Sequence, residues 1–363
     1  MNAPVYLNGR FLGQTVTGVQ RFSAEIALAV DRLMIAGDWP PTTLLTPRSA
    51  RSGGTTRAPA FSRIELRSVG RSNGHLWEQT DLPRAARGGT LVSLGNTAPA
   101  LAGRQQVVVI HDAGVFDTPG SYSWRFRLWY RTLQHTLTRI GVRIVTVSEF
   151  SRSRIADRLG IDPSRISVMY EGADHISRVT PDPATLERHR LDSGRFALVV
   201  GSRVAHKNVA ALRQVSDALA RRGMVIAIVG ASNREIFQDV GSSSGFGRQL
   251  GRATDAELRA LYENAACLLF PSKYEGFGLP PVEAMACGCP VVAFHGGAVE
   301  EICGDAALYV DGRDTAGMVA TVETLLDTPD LADRLIARGR ERAACLTWEA
   351  SARVLGGVVQ TLC

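Results

Sequence analysis

Short β-branched runs alternate with longer amphipathic stretches along the whole chain, in two successive series. A chain written this way folds as βαβ units around parallel sheets, because each parallel strand needs a helix-length crossover to bring the chain back. In the first series the pattern predicts strands over Val5–Leu7, Thr43–Leu45, Leu91–Leu94, Val107–Ile110 and Arg143–Val147. Helices are expected between them over Val19–Leu33, Trp124–Thr138 and Glu149–Leu159. The second series restarts at Phe196–Val200 and runs through Val225–Val229, Cys267–Phe270, Pro290–Ala293 and Ala307–Val310. Its helices are expected over Asn208–Arg222, Asp255–Asn264 and Thr315–Leu326.

A length of 363 residues suits two domains, each large enough for its own core. Pro181, Asp182 and Pro183 mark a linker. The expected division is an N-terminal α/β domain at 1–178, a linker at 179–195, a C-terminal α/β domain at 196–346 and a final segment at 347–363. That last segment holds a helix over Trp348–Gln360, with Thr347 as its N-cap. The Arg48–Thr56 stretch, rich in Arg, Ser and Gly, reads as a mobile loop.

Composition excludes several classes of function. No apolar run approaches the roughly 18 residues of a membrane span, and Met224–Ala231 reads as a buried strand. The N-terminus lacks a basic start followed by a long apolar stretch, so cytoplasmic residence is expected. The six cysteines show no Cys-x2-Cys spacing and read as reduced, mostly buried thiols. No Asp-x-Asp occurs. The net charge is +6, and of 41 basic residues all but Lys207 and Lys273 are arginine. They are scattered rather than interleaved with aromatics, which argues against nucleic acid and leaves a mildly basic surface suited to an anionic membrane face or a phosphorylated acceptor.

The segment Phe270-Pro-Ser-Lys-Tyr-Glu-Gly-Phe-Gly-Leu-Pro-Pro-Val-Glu-Ala-Met-Ala-Cys-Gly-Cys-Pro-Val-Val292 carries the chemistry. Gly276 and Gly278 let the backbone approach a ligand closely, and Pro280 and Pro281 suit the first turn of a helix. A helix start there offers N–H donors and a positive dipole end to a diphosphate. Glu275 before that turn and Glu283 within the helix are placed to accept hydrogen bonds from hydroxyls on either side of the anion. One anion site between two hydroxyl-reading carboxylates describes a nucleotide-sugar pocket.

At these residues the chain resembles the retaining glycosyltransferases of family 4, whose hallmark Glu-x7-Glu matches Glu275 and Glu283. The resemblance extends to Thr17-Gly-Val-Gln-Arg21, Val109-Ile-His-Asp112, Thr146-Val-Ser-Glu-Phe-Ser151, Tyr170-Glu-Gly-Ala-Asp174 and Gly201-Ser-Arg-Val-Ala-His-Lys-Asn208. It implies the GT-B fold: two Rossmann-like, doubly wound α/β domains facing a central cleft, with the C-terminal helix crossing back to the N-terminal domain. It also implies that Arg203 and Lys207 hold the donor phosphates, that Glu275 reads the sugar and Glu283 the nucleotide ribose. Gly201 and the backbone N–H groups of Gly276, Phe277, Gly278 and Leu279 complete the donor site. The resemblance implies that the loop from Gly13 to Arg21, in which Gly18 opens a helix after the first strand, touches donor phosphate and acceptor, with Arg21 either a phosphate ligand or a helix-surface cation. His111, at a strand end, is expected near the reacting centre, either bonding a sugar hydroxyl or helping to deprotonate the acceptor, with Asp112 able to hold it in position.

Without metal, the diphosphate must be neutralised by cationic side chains and oriented N–H groups, so no cofactor is expected beyond the nucleotide-sugar co-substrate. The mannosyltransferase-like segments favour a GDP-linked hexose. The resemblance points to a glycan or polyprenyl-linked lipid acceptor in polysaccharide, lipopolysaccharide or glycolipid assembly. The run Trp124-Arg-Phe-Arg-Leu-Trp-Tyr-Arg131 is either buried against a sheet or laid peripherally on the inner membrane. Two rivals stay open at this point: a nucleotide-sugar 2-epimerase of the same fold, and a non-catalytic nucleotide-sugar-binding partner.

Overall fold

Among the described residues, thirteen strands pair in parallel to build two sheets. The computed structural model describes residues 3–48, 59–201, 208–230, 247–312 and 314–362. The first sheet holds β1 (Val5–Asn8), β2 (Thr42–Pro47), β3 (Glu65–Val69), β4 (Thr90–Ser93), β5 (Gln106–Val109), β6 (Arg143–Thr146) and β7 (Ile166–Val168). The second holds β8 (Phe196–Val200), β9 (Val225–Val229), β10 (Arg248–Gly251), β11 (Cys267–Phe270), β12 (Val291–Phe294) and β13 (Ala307–Val310). Their orders are β3-β2-β1-β4-β5-β6-β7 and β10-β9-β8-β11-β12-β13. In each, the winding reverses beside the first strand, between β1 and β4 and between β8 and β11. Open α/β sheets bind ligands at that reversal, outside the carboxyl ends of the strands.

The central strands are apolar on both faces, as two-sided burial requires. In the second sheet Leu269, Val292 and Phe294 pack with Leu219, Met318 and Leu325 from the covering helices. In the first, Val108, Ile110 and Ile144 pack with Leu133, Leu137 and Ile155. The strands that periodicity missed, β3, β7 and β10, all lie on sheet edges. An edge strand is covered less and needs no continuous apolar run: β3 reads Glu-Leu-Arg-Ser-Val and none of its residues is fully buried. The helices Gly74–Ala85, interrupted by Pro83, and Pro329–Ala344 were missed for a related reason. Both have mainly polar or half-exposed faces with few buried residues.

Two compact units result, one of residues 1–116, 127–171 and 348–363, the other of 117–126 and 172–347. The chain thus leaves the first unit after Glu171, earlier than the expected boundary at 178. The expected linker, 179–195, belongs to the second unit, where the Asp182 N–H donates to the Ala256 carbonyl at 3.0 Å and Thr185–Arg188 forms a helical turn. The proline-flanked segment read as a linker, but its backbone finds an acceptor within the unit and packs there. The final helix, Trp348–Gln360, belongs to the first unit and lies on the Gly18–Ala36 helix. Arg353 pairs with Asp38 at 3.0 Å, and Trp348 is fully buried beside Phe22.

Among the described cysteines none is bridged. Burial pushes the thiols of Cys267, Cys287 and Cys303 up to about 12, which keeps them protonated and unreactive at neutral pH. The expected loop at Arg48–Thr56 lies, apart from Arg48, outside the described residues. No helix among the described residues is long and apolar enough to cross a membrane.

Candidate active site

Pairing of Cys267 with Ala197 and Leu268 with Leu198 sets β11 directly beside β8. The ends of β8 and β11, some seventy residues apart in sequence, therefore stand side by side at the winding reversal of the second sheet. The loop after β8 begins at Gly201, whose φ of 153° favours glycine and whose N–H bonds the Val229 carbonyl at 3.0 Å. Arg203 and Lys207, expected further along it, lie outside the described residues. The loop after β11 is Pro271–Gly278. It ends at Gly278, which takes a left-handed φ of 97° and caps the Leu279–Ala286 helix. Four N–H positions at a helix start find no intrahelical carbonyl. Here two of them are Pro280 and Pro281, which have no N–H, so the N–H groups this terminus can offer are those of Gly278 and Leu279. Gly276 and Phe277 are buried in the same turn.

Glu275 is half-buried, and its main chain is wedged by the loop that follows β12. Its carbonyl accepts the Ala298 N–H at 3.0 Å. A side chain at Gly297 would meet the Glu275 nitrogen at 2.4 Å, and Gly297 has a φ of +66°. That close approach is what Gly296-Gly297 in the sequence encodes, a signal that motif reading passed over. From the other side, the hydroxyl of Tyr274 donates to Asp117 at 3.2 Å, within the same unit.

Glu283 sits in the helix and is buried. Its Oε1 accepts from His175 Nε2 and its Oε2 from the hydroxyl of Tyr262, each at 2.9 Å. Burial, then the adjoining carboxylate, pushes the Tyr262 hydroxyl well above its usual range, so it stays a donor. These two residues were not foreseen; they stand 108 and 21 positions away, and only the packing of their helices brings them to Glu283.

In the first unit, Thr17 and Gln20 form a capping box at the start of the Gly18–Ala36 helix. Gly18 is exposed, and a Cβ there would meet nothing within 4 Å, so the fold itself does not require glycine. Arg21 is half-buried on the first turn. His111 is buried two residues beyond β5, its ring edge-on to Phe22 at 4.5 Å. Its Nδ1 faces Glu171 Oε1 at 3.3 Å and its Nε2 the Leu94 carbonyl at 2.9 Å. Asp112, considered as its orienting partner, instead accepts the Gly114 N–H at 2.6 Å and closes its own turn. The orienting carboxylate is Glu171, within the Tyr170–Asp174 segment but assigned no role by sequence.

A model of the family described as glycosyl transferases group 1 matches residues 187–342, and one described as glycosyltransferase family 4 matches residues 43–176. The O-antigen chain mannosyltransferase B of Escherichia coli is 31% identical over 255 residues, covering 67% of this chain and 67% of that protein. The chain belongs to glycosyltransferase family 4. It spans about two thirds or less of the length of the curated relatives it matches. Among solved structures, WaaG, a glycosyltransferase involved in lipopolysaccharide biosynthesis, gives a TM-score of 0.70 at 15% identity, over 98% of this chain and 99% of WaaG. HepE of Anabaena, in complex with UDP and glucose, gives 0.70 at 16% identity, over 99% and 98%. These likenesses establish the GT-B fold, two parallel Rossmann-like domains, for this family 4 glycosyltransferase.

The enzyme carries one further polar cluster, at the winding reversal of its first sheet. Buried Glu78 accepts from Asn8 Nδ2 at 2.8 Å and from Thr97 Oγ1 at 2.9 Å, and pairs with Arg10 Nε at 3.3 Å. His75 Nδ1 adds a contact at 3.3 Å. Burial pushes the Glu78 carboxyl upward, but Arg10, His75 and Thr97 outweigh it and hold it below the usual carboxylate range. Asn8 also bonds Ser93, so this cluster ties the ends of β1 and β4 together. Sequence reading missed it, although strand ends beside a winding reversal are where polar residues are to be sought.

Proposed function

We propose that this glycosyltransferase moves a hexose, with mannose from GDP-mannose as the favoured donor, to a glycan or lipid-linked acceptor with retention of anomeric configuration and without a metal ion. One observation carries the reading: the second sheet pairs β8, which ends before Gly201, with β11, which leads into the Glu275–Gly278 turn and the Leu279–Ala286 helix that holds Glu283. An anion there, flanked by carboxylates, matches a nucleotide diphosphate sugar. The preference for mannose rests on similarity to the O-antigen chain mannosyltransferase B.

In the proposed step the bond from the anomeric carbon to the diphosphate oxygen breaks, and its electron pair leaves with the diphosphate. The acceptor oxygen bonds the same face of the sugar, and its proton passes to a diphosphate oxygen. Glu275 holds hexose hydroxyls. Glu283, fixed by His175 and Tyr262, faces the ribose. Arg203 and Lys207, outside the described residues, are assigned to the departing charge together with the Gly278 and Leu279 N–H groups. Gly18 and Arg21 are assigned to phosphate binding by the family resemblance.

The acceptor side of the proposal, a glycan or polyprenyl-linked lipid met at the cytoplasmic membrane face, rests on the Trp124–Ile140 helix. Trp124, Leu128 and Trp129 are 66%, 59% and 38% exposed, and Arg125 lies 5.4 Å over the Trp124 ring. The helix carries four arginines and no acidic residue, a pairing suited to an anionic bilayer.

Calorimetric titration with GDP, UDP and ADP in metal-free buffer tests the donor site. Glu283→Gln is the better variant, because it keeps an acceptor for Tyr262 where alanine would orphan it. Tight binding of GDP, weakened by the substitution, is expected. A preference for UDP would replace the proposed donor, and no binding to any of the three would remove the site assignment.

A further inference from the structure

Three neighbours within the first unit fix the ring of His111. The Leu94 carbonyl, 2.9 Å from Nε2, can only accept, so Nε2 carries a proton. The Glu171 carboxylate, 3.3 Å from Nδ1, is an acceptor as well, and it is itself buried. Asn96 holds the His111 backbone N–H at 2.7 Å and so sets where the ring leaves the strand. Phe22 closes the ring edge at 4.5 Å, and Trp348 stands 5.8 Å behind Phe22. The charged groups facing His111 are Glu171, from beyond β7, and Asp112, its own neighbour; the segment after β4 contributes the Leu94 carbonyl and the Gly18–Ala36 helix the Phe22 ring.

We infer that Glu171 is a positioning residue that keeps His111 doubly protonated, so that His111 serves glycosyl transfer as a fixed cation and neither takes nor gives a proton. A ring whose two nitrogens both donate to the protein has no lone pair left for an acceptor hydroxyl. What it offers is charge. Phe22 lies one helical turn beyond Gly18, so the imidazolium and the positive end of that 19-residue helix share one corner of the first unit. Burial opposes the charge, but the hydrogen bond and charge of Glu171, with Leu94 and Asp112, outweigh it and hold the imidazole above its ordinary value. The inference rests on the donor reading above only in its second readout, GDP affinity.

The test is histidine-labelled NMR of the full chain, with the His111 signals assigned by His111→Gln and followed from neutral to alkaline pH. In the wild type both ring nitrogens are expected to be protonated at neutral pH, titrating above the ordinary histidine value of about 6.5. Glu171→Gln, close in shape, should lower that titration by about one pH unit or more, with Glu171→Asp between the two. GDP affinity, measured by calorimetry across the same range, should fall as pH passes the His111 titration, at lower pH in Glu171→Gln than in wild type. A neutral His111 in the wild type, or a titration unmoved in Glu171→Gln, overturns the pairing. A moved titration with GDP affinity indifferent to pH overturns the electrostatic role. Absence of GDP binding to the wild type would overturn the donor reading alone, since the NMR titration needs no nucleotide.

Discussion

Among the described residues, His111–Glu171 in the first unit and His175–Glu283 in the second are buried histidine–glutamate pairs, built in opposite senses. In the first unit the histidine is the centre: His111 is ringed by acceptors, the Glu171 carboxylate and the Leu94 carbonyl. In the second the carboxylate is the centre: Glu283 is ringed by donors, His175 and Tyr262. The same two residue types thus fix a positive charge in one sheet's binding edge and a negative one in the other's. A buried charge survives only where its neighbours supply the complementary hydrogen-bonding groups, so the neighbours decide which partner carries the function. For the proposed transfer, which would release a diphosphate and hold hydroxyls, the two arrangements suit different tasks.

The largest effect expected on this contrast comes from emptying the carboxylate centre. Glu283→Ala leaves His175 and Tyr262 buried without their acceptor and should cost about 3–5 kcal/mol in urea unfolding, with Glu283→Gln costing less. Equal costs for the two would show that the donors find other partners. Next is Glu275→Ala, half-buried on a loop rather than at the centre of a network. It should lower kcat by about a hundredfold or more while unfolding shifts by less than about 1 kcal/mol. Undiminished turnover would move the sugar site elsewhere.

A smaller effect separates the two centres by pH. Because the folded His111 titrates above its unfolded value, its stabilisation is complete below about pH 6.5 and is lost as pH rises through the higher folded value. Urea midpoints taken on either side of that window should decline with pH in the wild type and flatten in Glu171→Gln. The smallest effect on stability is expected at Gly18→Ala, within about 0.5 kcal/mol, since a Cβ there meets open space at an unstrained φ. Its GDP affinity should nevertheless fall, because the added methyl stands where the backbone is proposed to meet phosphate. Unchanged affinity would take Gly18 out of the donor site.

Legibility varied with how local each signal was. Strands Phe196–Val200, Val225–Val229 and Cys267–Phe270 were placed residue for residue, because central strands carry their burial in their own apolar runs; the edge strand Ala307–Val310 was placed as well, from its apolar run Ala-Leu-Tyr-Val. The Pro280-Pro281 helix start and the left-handed Gly278 were likewise local. Glu171, His175, Tyr262 and the Glu78 cluster were not foreseen, since a lone glutamate or tyrosine looks the same in sequence whether solvated or clamped.

The sequence by itself determined the parallel α/β class from periodicity and, through motifs that resemble it, the glycosyltransferase family, and it put forward Glu275 and Glu283 as candidates. Only the tertiary structure decided which groups face them. Partners 60 and 108 residues apart meet because strand order and helix packing carry them there. Sign and proton state follow from those neighbours, because a buried ionisable group takes its charge from the donors and acceptors within a few ångströms and not from its position in the chain.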